Sequence, residues 1–206
     1  NHYLGSILKK KQFDTFYHEH PRTYSLTSFI KISKLLELKI LNYSFPSRYG
    51  GNIRVVLKRR VKKKIKYDKK LINKEKKFIN LFYFLNKSIN NWKKNKIEQL
   101  KKLKKTYGRL SAKAFPGRAS IIIKILGVDS ETIQEVFEKP NSKKIGFYVP
   151  GTRIPIKSDK VFEKKISKLK IIINLAWHIK KEIRKYLKKM QFKGKIINII
   201  DTKDFE

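Results

Sequence analysis

Between residues 106 and 206, short apolar runs of strand length alternate with stretches of helical periodicity, and that alternation restricts the fold more than any other feature. Gly108–Gly117 reads as a loop and Arg118–Leu126 as a helix that Gly127 stops. Thr132–Glu138 reads as a strand and Pro140–Gly151 as a turn-rich connection. A helix over Asp159–Lys168, an apolar strand over Leu169–Leu175, an amphipathic helix over His178–Met190 and a final strand over Lys195–Ile200 follow. Strands that alternate with helices cannot pair as hairpins, so they imply a mostly parallel sheet. The expected fold class is α/β, with a Rossmann-like unit over 106–206.

The first part of the chain, 1–62, reads as the end of another α/β domain. Leu4–Lys11 forms a short helix, and Ser25 or Thr27 caps a second that runs to about Leu38. Lys39–Phe45 and Ile53–Arg59 then form two strands around the turn Pro46–Asn52, a hairpin that closes a sheet. Residues 63–105 lie between the two parts. Ile72, Phe78, Ile79, Phe82 and Leu85, then Ile89, Trp92, Ile97, Leu100 and Leu103, recur every three to five residues, which predicts one or two amphipathic helices with lysines on the wet face.

Charge sets the list of partners. The chain has 52 Lys and Arg against 16 Asp and Glu, a net charge of +36 over 206 residues. Residues 58–105 carry 20 basic and 3 acidic residues. Such a segment is expected either as a solvated helix face or as a surface for nucleic acid. Lys, Asn and Ile are all encoded by AT-rich codons, so base composition can supply part of the excess. Hydrophobic residues at 40% exclude a wholly disordered polycation. No apolar run approaches the roughly 18 residues of a membrane span, so no membrane partner is expected. No secretory signal is visible, so the expected location is cytoplasmic. Cysteine is absent, which excludes a disulfide scaffold, a thiolate metal site and a cysteine nucleophile in this chain.

With no cysteine and few carboxylates, the histidines draw attention. The run Tyr17-His18-Glu19-His20 is the densest group of proton-transfer residues in the chain. Imidazole titrates near neutral pH and accepts a proton from carbon or oxygen. A carboxylate beside it fixes its tautomer, and a phenol donates to a developing oxyanion. Two other readings stand beside the acid–base one: a satisfied structural cluster, and a zinc site. The zinc site is poorly supported, since His18 and His20 are two apart and no third ligand is evident, so no metal is expected.

Three further features are softer. Lys113 to Arg118 precedes a helix and can offer two cations and backbone N–H groups to a phosphate; the alternative is an ordinary loop–helix cap. Tyr148 to Pro155, with Thr152 at its centre, is a rigid turn. Trp177 and His178 follow an apolar strand, where α/β folds place ligand-facing residues, although packing is the commoner use of such a tryptophan.

The stretch Gln12 to His20, followed by Tyr24-Ser25-Leu26, resembles the signature of the SAM-dependent sugar C-methyltransferases, which act on nucleotide-linked keto-deoxysugars. Tyr49-Gly50-Gly51-Asn52-Ile53-Arg54-Val55 is similar to the Gly-Gly turn and last strand of the same family. So are Gly117-Arg118-Ala119-Ser120, Leu126-Gly127-Val128-Asp129, Glu138-Lys139-Pro140, Lys144-Ile145-Gly146, Val149 to Ile156 and Ala176-Trp177. These motifs stand in the right order and cover most of 1–57 and 106–206.

The resemblance implies three parts. Residues 1–62 would be the C-terminal part of the SAM-dependent methyltransferase domain, 63–105 a basic helical linker, and 106–206 a C-terminal Rossmann-like domain that binds the sugar nucleotide. The family's zinc module and most of its SAM site would lie upstream, so the chain is expected to be a fragment, inactive without that upstream half of the same polypeptide. His20 would be the base that removes the proton next to the sugar ketone, with Tyr17 and Glu19 orienting it or stabilising the enolate. Lys113, Arg118, Thr152, Trp177 and His178 would contact the nucleotide-linked keto sugar. The sequence departs from the family at two places. Lys101 to Gly108 is short of apolar residues, which predicts a truncated first strand in the C-terminal domain, and His178 stands where the family often has Asn.

Overall fold

A computed structural model of the chain describes residues 1–47, 50–60 and 65–205. The chain divides into two compact units, Asn1–Ile89 and Asn90–Glu206. The first holds helices α1 (Leu4–Lys10), α2 (Leu26–Leu35) and α3 (Lys69–Lys76), and strands β1 (Lys39–Ser44) and β2 (Arg54–Lys58). Helix α4 (Phe78–Tyr107) begins in the first unit and ends in the second.

Ser25 starts α2 through a capping box: its hydroxyl accepts from the Ser28 N–H, and the Ser28 hydroxyl accepts from the Ser25 N–H. The helix ends three residues before the expected Leu38. Glu37 turns left-handed at φ 53°, its N–H bonds to Lys34 O, and the Leu38 N–H reaches Ser33 O at 2.7 Å. This is a Schellman stop built without glycine, so no residue type marks it in advance. β1 and β2 pair antiparallel, with a bulge between Ile40 and Asn42. Among the described residues they pair with each other alone. Arg48 and Tyr49 of the connecting turn lie outside the described residues.

Composition suggests divisions at 62 and 105, whereas the compact units part at Ile89. The reason is that α3 and the start of α4 pack into the first unit. Phe78 lies 6.3 Å from the Tyr3 ring, and Phe82 lies 6.4 Å from the Phe16 ring. Glu75 of α3 is buried; it accepts from the Tyr3 hydroxyl at 3.0 Å, from the N–H groups of Leu26 and Thr27 at 2.9 and 2.8 Å, and from the Thr27 hydroxyl. One carboxylate thus caps the N-terminus of α2 from another helix. Burial and that carboxylate push the Tyr3 phenol well above its ordinary value, so it acts as a neutral donor.

The second unit is a five-stranded sheet with every neighbouring pair parallel, in the order β5-β4-β3-β6-β7. Its strands are β3 (Leu110–Lys113), β4 (Ile133–Glu138), β5 (Ile156–Ser158), β6 (Ile171–Asn174) and β7 (Lys195–Asn198), and its helices after α4 are α5 (Ala119–Leu126), α6 (Asp159–Lys165) and α7 (Lys180–Lys189). The expected Rossmann-like α/β class is what the chain adopts. Phe137, Phe162, Ile172, Ile183, Leu187 and Phe192 form one buried cluster, with the Phe137 and Phe162 rings 5.1 Å apart.

One sequence expectation fails. Gly108–Gly117 reads as a loop, yet it holds β3, the central strand, all four of whose residues are buried, while Lys101–Tyr107, short of apolar residues, ends α4. Leu110-Ser111-Ala112-Lys113 lacks an apolar pattern because its polar members find partners far along the chain. The Ser111 hydroxyl donates to Glu135, and the Lys113 ammonium sits 2.9 Å from Asp159. No helix among the described residues is long and apolar enough to cross a membrane.

Candidate functional site

The proton-transfer residues sit on a turn of the first unit that begins with a short 3-10 segment, Phe13–Thr15. Phe13 and Thr15 are buried, and the Thr15 hydroxyl donates to Gln12 O at 2.7 Å. Gly50, at φ +94°, packs against the Gln12 amide so closely that a Cβ there would fall 2.3 Å from Nε2. The positive φ is what favours glycine here, since the end of the Gln12 side chain can shift from an added Cβ. The chain then folds back: the His20 N–H donates to Tyr17 O at 2.8 Å. That turn brings the two side chains together, with ring centroids 5.2 Å apart and edge to face. His2 adds a third ring, 4.4 Å from His20 and tilted by 73°. It is carried there because the segments around His2 and Tyr24 run side by side, the Leu4 N–H bonding to Tyr24 O at 2.9 Å.

His20 and Tyr17 are half-buried; His18 and Glu19 are exposed. The Tyr17 hydroxyl donates to Glu19 at 2.7 Å, and His18 Nε2 lies 3.9 Å from the same carboxylate. The arrangement is an imidazole held between two rings, next to a phenol that is itself oriented by a carboxylate. The imidazole can accept a proton from a bound molecule, and the single phenolic proton, given to Glu19 here, reaches such a molecule when the Tyr17 hydroxyl turns away from the carboxylate. Among the described residues no three His, Asp or Glu side chains gather as a metal site.

The five candidates of the second unit divide into groups. Strand order reverses between β3 and β6, so the loops after these two neighbours leave in opposite directions at their C-terminal ends, the switch point at which open α/β sheets form their ligand crevice. Arg118 comes from the loop after β3, and Trp177 and His178 from the loop after β6. The Arg118 guanidinium lies 5.5 Å from the centre of the Trp177 ring, whose centroid is 6.3 Å from that of His178. These three are brought together. Lys144 joins this region: its ammonium bonds to Phe115 O at 2.6 Å and lies 5.7 Å from the Phe115 ring.

Lys113 and Thr152 are placed differently. Lys113 is 1% exposed, and its ammonium is shared between Asp159 and Phe137 O. The Tyr186 hydroxyl donates to the same Asp159 carboxylate at 2.6 Å. Burial lowers the Lys113 ammonium below its ordinary value, against the opposing pull of Asp159. Burial and the Asp159 carboxylate together raise the Tyr186 phenol. Lys113 therefore presents no cation to the Phe115–Arg118 turn. Thr152 closes its own turn, donating to Val149 O at 2.8 Å and accepting from the Ile154 N–H at 3.1 Å. It leads into edge strand β5, two strands from the crevice. A cavity of about 370 Å³, lined by Tyr107, Arg109, Lys168 and Lys170 among others, opens at the opposite end of β3 and β6, and none of the five lines it.

Sequence reading overlooked Asp159 and Tyr186. A lysine next to an apolar strand was the available signal, since a buried ammonium demands a carboxylate. It also overlooked the pairing of His2 with His20, for which no local spacing gives a sign.

The model of a protein family described as the C-methyltransferase C-terminal domain matches residues 47–200. That span contains Lys113, Arg118, Thr152, Trp177 and His178, and Tyr17, Glu19 and His20 precede it. No match was found among curated proteins.

Proposed function

The chain belongs to the C-methyltransferase C-terminal domain family, and from that premise we propose that it is the C-terminal portion of a SAM-dependent C-methyltransferase, cytoplasmic, acting on a carbon next to the ketone of a nucleotide-activated deoxysugar. The observation that carries the reading is the His20 imidazole, set edge-on between His2 and Tyr17 on a turn where Tyr17 is bonded to Glu19. A carbon acid beside a carbonyl needs a base whose pKa lies near the working pH and a donor for the enolate oxygen. His20 takes the proton. Tyr17 turns its single O–H from Glu19 to the oxygen on which charge develops and donates to it there.

In the second unit the nucleotide part of the substrate lies at the crevice after β3 and β6. Trp177 offers a flat face and Arg118 a cation already stacked on it. His178 borders the same ring. Lys113 acts beneath the crevice, holding the end of β3 to Asp159. Thr152 shapes the turn into β5.

SAM supplies an electrophilic methyl group when bound. The described residues do not fit it: the Gly50-Gly51 turn joins two strands, and the turn from β3 into α5 carries a single glycine, Gly117, so neither is the glycine-rich strand-to-helix cradle such a cofactor takes. No residue of this chain is assigned to hold it.

The test is to incubate the longer polypeptide of which this chain would be the C-terminal portion, carrying its SAM-binding half, with methyl-labelled SAM and a nucleoside-diphosphate-linked keto-deoxysugar, then locate the label. The proposal expects a new carbon–carbon bond next to the ketone. Label on oxygen, or none on the sugar while a different small molecule is methylated, overturns it.

A further inference from the structure

The basic segment has no part in the chemistry above, yet it forms a distinctive surface in the first unit. Helix α3 and the first half of α4 bury Glu75, Phe78 and Leu85. On the other side Ile79, Tyr83 and Phe84 are 60%, 72% and 63% exposed. Within α4, Lys87 follows Tyr83 by four residues and Phe84 by three, so it neighbours both rings of this face, and Lys76 is exposed at the end of α3. Lys77, at the junction of the two helices, is exposed as well. The nearby acids do not neutralise these cations. Asp68 caps α3 through the N–H groups of Lys70 and Leu71, and Glu75 is buried against its four neutral donors.

We propose that this face binds single-stranded nucleic acid, with phosphates on Lys76, Lys77 and Lys87 and bases stacked on Tyr83 and Phe84. Every base has a π-face, so two exposed rings among cations suit a strand of any sequence. Phosphate contacts release counterions and supply most of the affinity. An anionic bilayer fits less well. An inserting helix needs an apolar stripe sustained over several turns, and the positions that continue the Ile79–Tyr83 stripe are Asn86, Lys87 and Asn90. Phe84, next to Tyr83 in sequence, points about 100° away from it around the helix axis, which suits two separate stacking sites rather than one stripe.

The test is fluorescence anisotropy with a labelled oligouridylate of about 20 nucleotides, titrated between roughly 50 and 200 mM salt. The double variant Tyr83→Ala/Phe84→Ala is expected to lose about tenfold or more in affinity with an unchanged salt slope. The triple variant Lys76→Gln/Lys77→Gln/Lys87→Gln is expected to lower the slope of log K against log salt by about 2. All five residues are exposed, and circular dichroism checks that helix content is kept. Wild-type affinity in the ring variant overturns the proposal, since binding would then be charge alone. Failure to bind at the lower salt also overturns it. So does ring-dependent capture by vesicles with about 30% phosphatidylserine that displaces the oligonucleotide. None of these outcomes depends on methyl transfer.

Discussion

In the first unit the buried carboxylate of Glu75 is held by a phenol, a hydroxyl and two backbone N–H groups, whereas in the second the buried carboxylates face lysines. Asp159 pairs with Lys113 deep below the surface, and Glu135 takes Lys157 and Lys165 from the rim, both ammoniums within 3.0 Å. The difference decides what each carboxylate is worth. A carboxylate satisfied by neutral donors loses one hydrogen bond for each donor removed. A fully buried ion pair that loses one partner leaves a charge with no solvent and no counter-charge. Polar ties in the first unit are graded; in the second they are close to all-or-none.

The sharpest attempt to break this comparison is Lys113→Met. It should destabilise the second unit by about 3–5 kcal/mol, while Lys113→Met combined with Asp159→Leu should cost much less. Both tryptophans, Trp92 and Trp177, lie in the second unit, so urea unfolding followed by tryptophan fluorescence reads it selectively. A double variant as unstable as the single one would contradict the account.

Next in size, Glu75→Gln should cost the first unit about 1–3 kcal/mol, because the neutral amide is a weaker acceptor for several donors at once. The amides of Leu26 and Thr27 should lose their protection against hydrogen exchange, and the fluorescence transition of the second unit should stay where it is.

A smaller effect distinguishes the two helix stops. Glu37 ends α2 at φ 53° where Gly127 ends α5 at φ 63°. Glu37→Gly should stabilise by about 0.5 kcal/mol, the strain relieved being partly offset by the freedom glycine gains in the unfolded chain. Gly127→Ala should go the other way.

The last prediction concerns the acid side of the stability curve. Burial alone would raise the Glu135 carboxyl, but the hydrogen bonds and charges of Lys157 and Lys165 outweigh it and hold it below its ordinary 4.5. The unfolded chain therefore binds this proton at a higher pH than the folded one. The stabilisation is complete above pH 4.5 and is lost as the pH falls through the lowered folded value. Glu135→Gln should flatten that acid limb of the second unit and leave Glu75 exchange protection unchanged.

The same contrast explains what could be read from the sequence. Gly127, Ser25 and the apolar run before Leu175 act through neighbours in the chain, and each element they delimit lies close to where the periodicity puts it. β3 was not legible because Ser111 and Lys113 are made acceptable by Glu135 and Asp159, and the latter stands 46 residues away. The end of α2 was missed because glutamate takes a backbone shape that glycine usually signals. At the candidate site, the Tyr17–Glu19–His20 group was visible because it is local. The stacking of Arg118 on Trp177, and the placing of Lys113 and Thr152 away from that stack, follow from strand order.

The central claim is that His20 removes a proton from the carbon next to a sugar ketone. It is tested most directly by following deuterium uptake at that carbon in heavy water, with the nucleotide-linked keto sugar and no methyl donor, for the protein and for His20→Gln. The account predicts uptake with the native side chain and a loss of about 100-fold or more in the variant. Equal uptake by both proteins would contradict it.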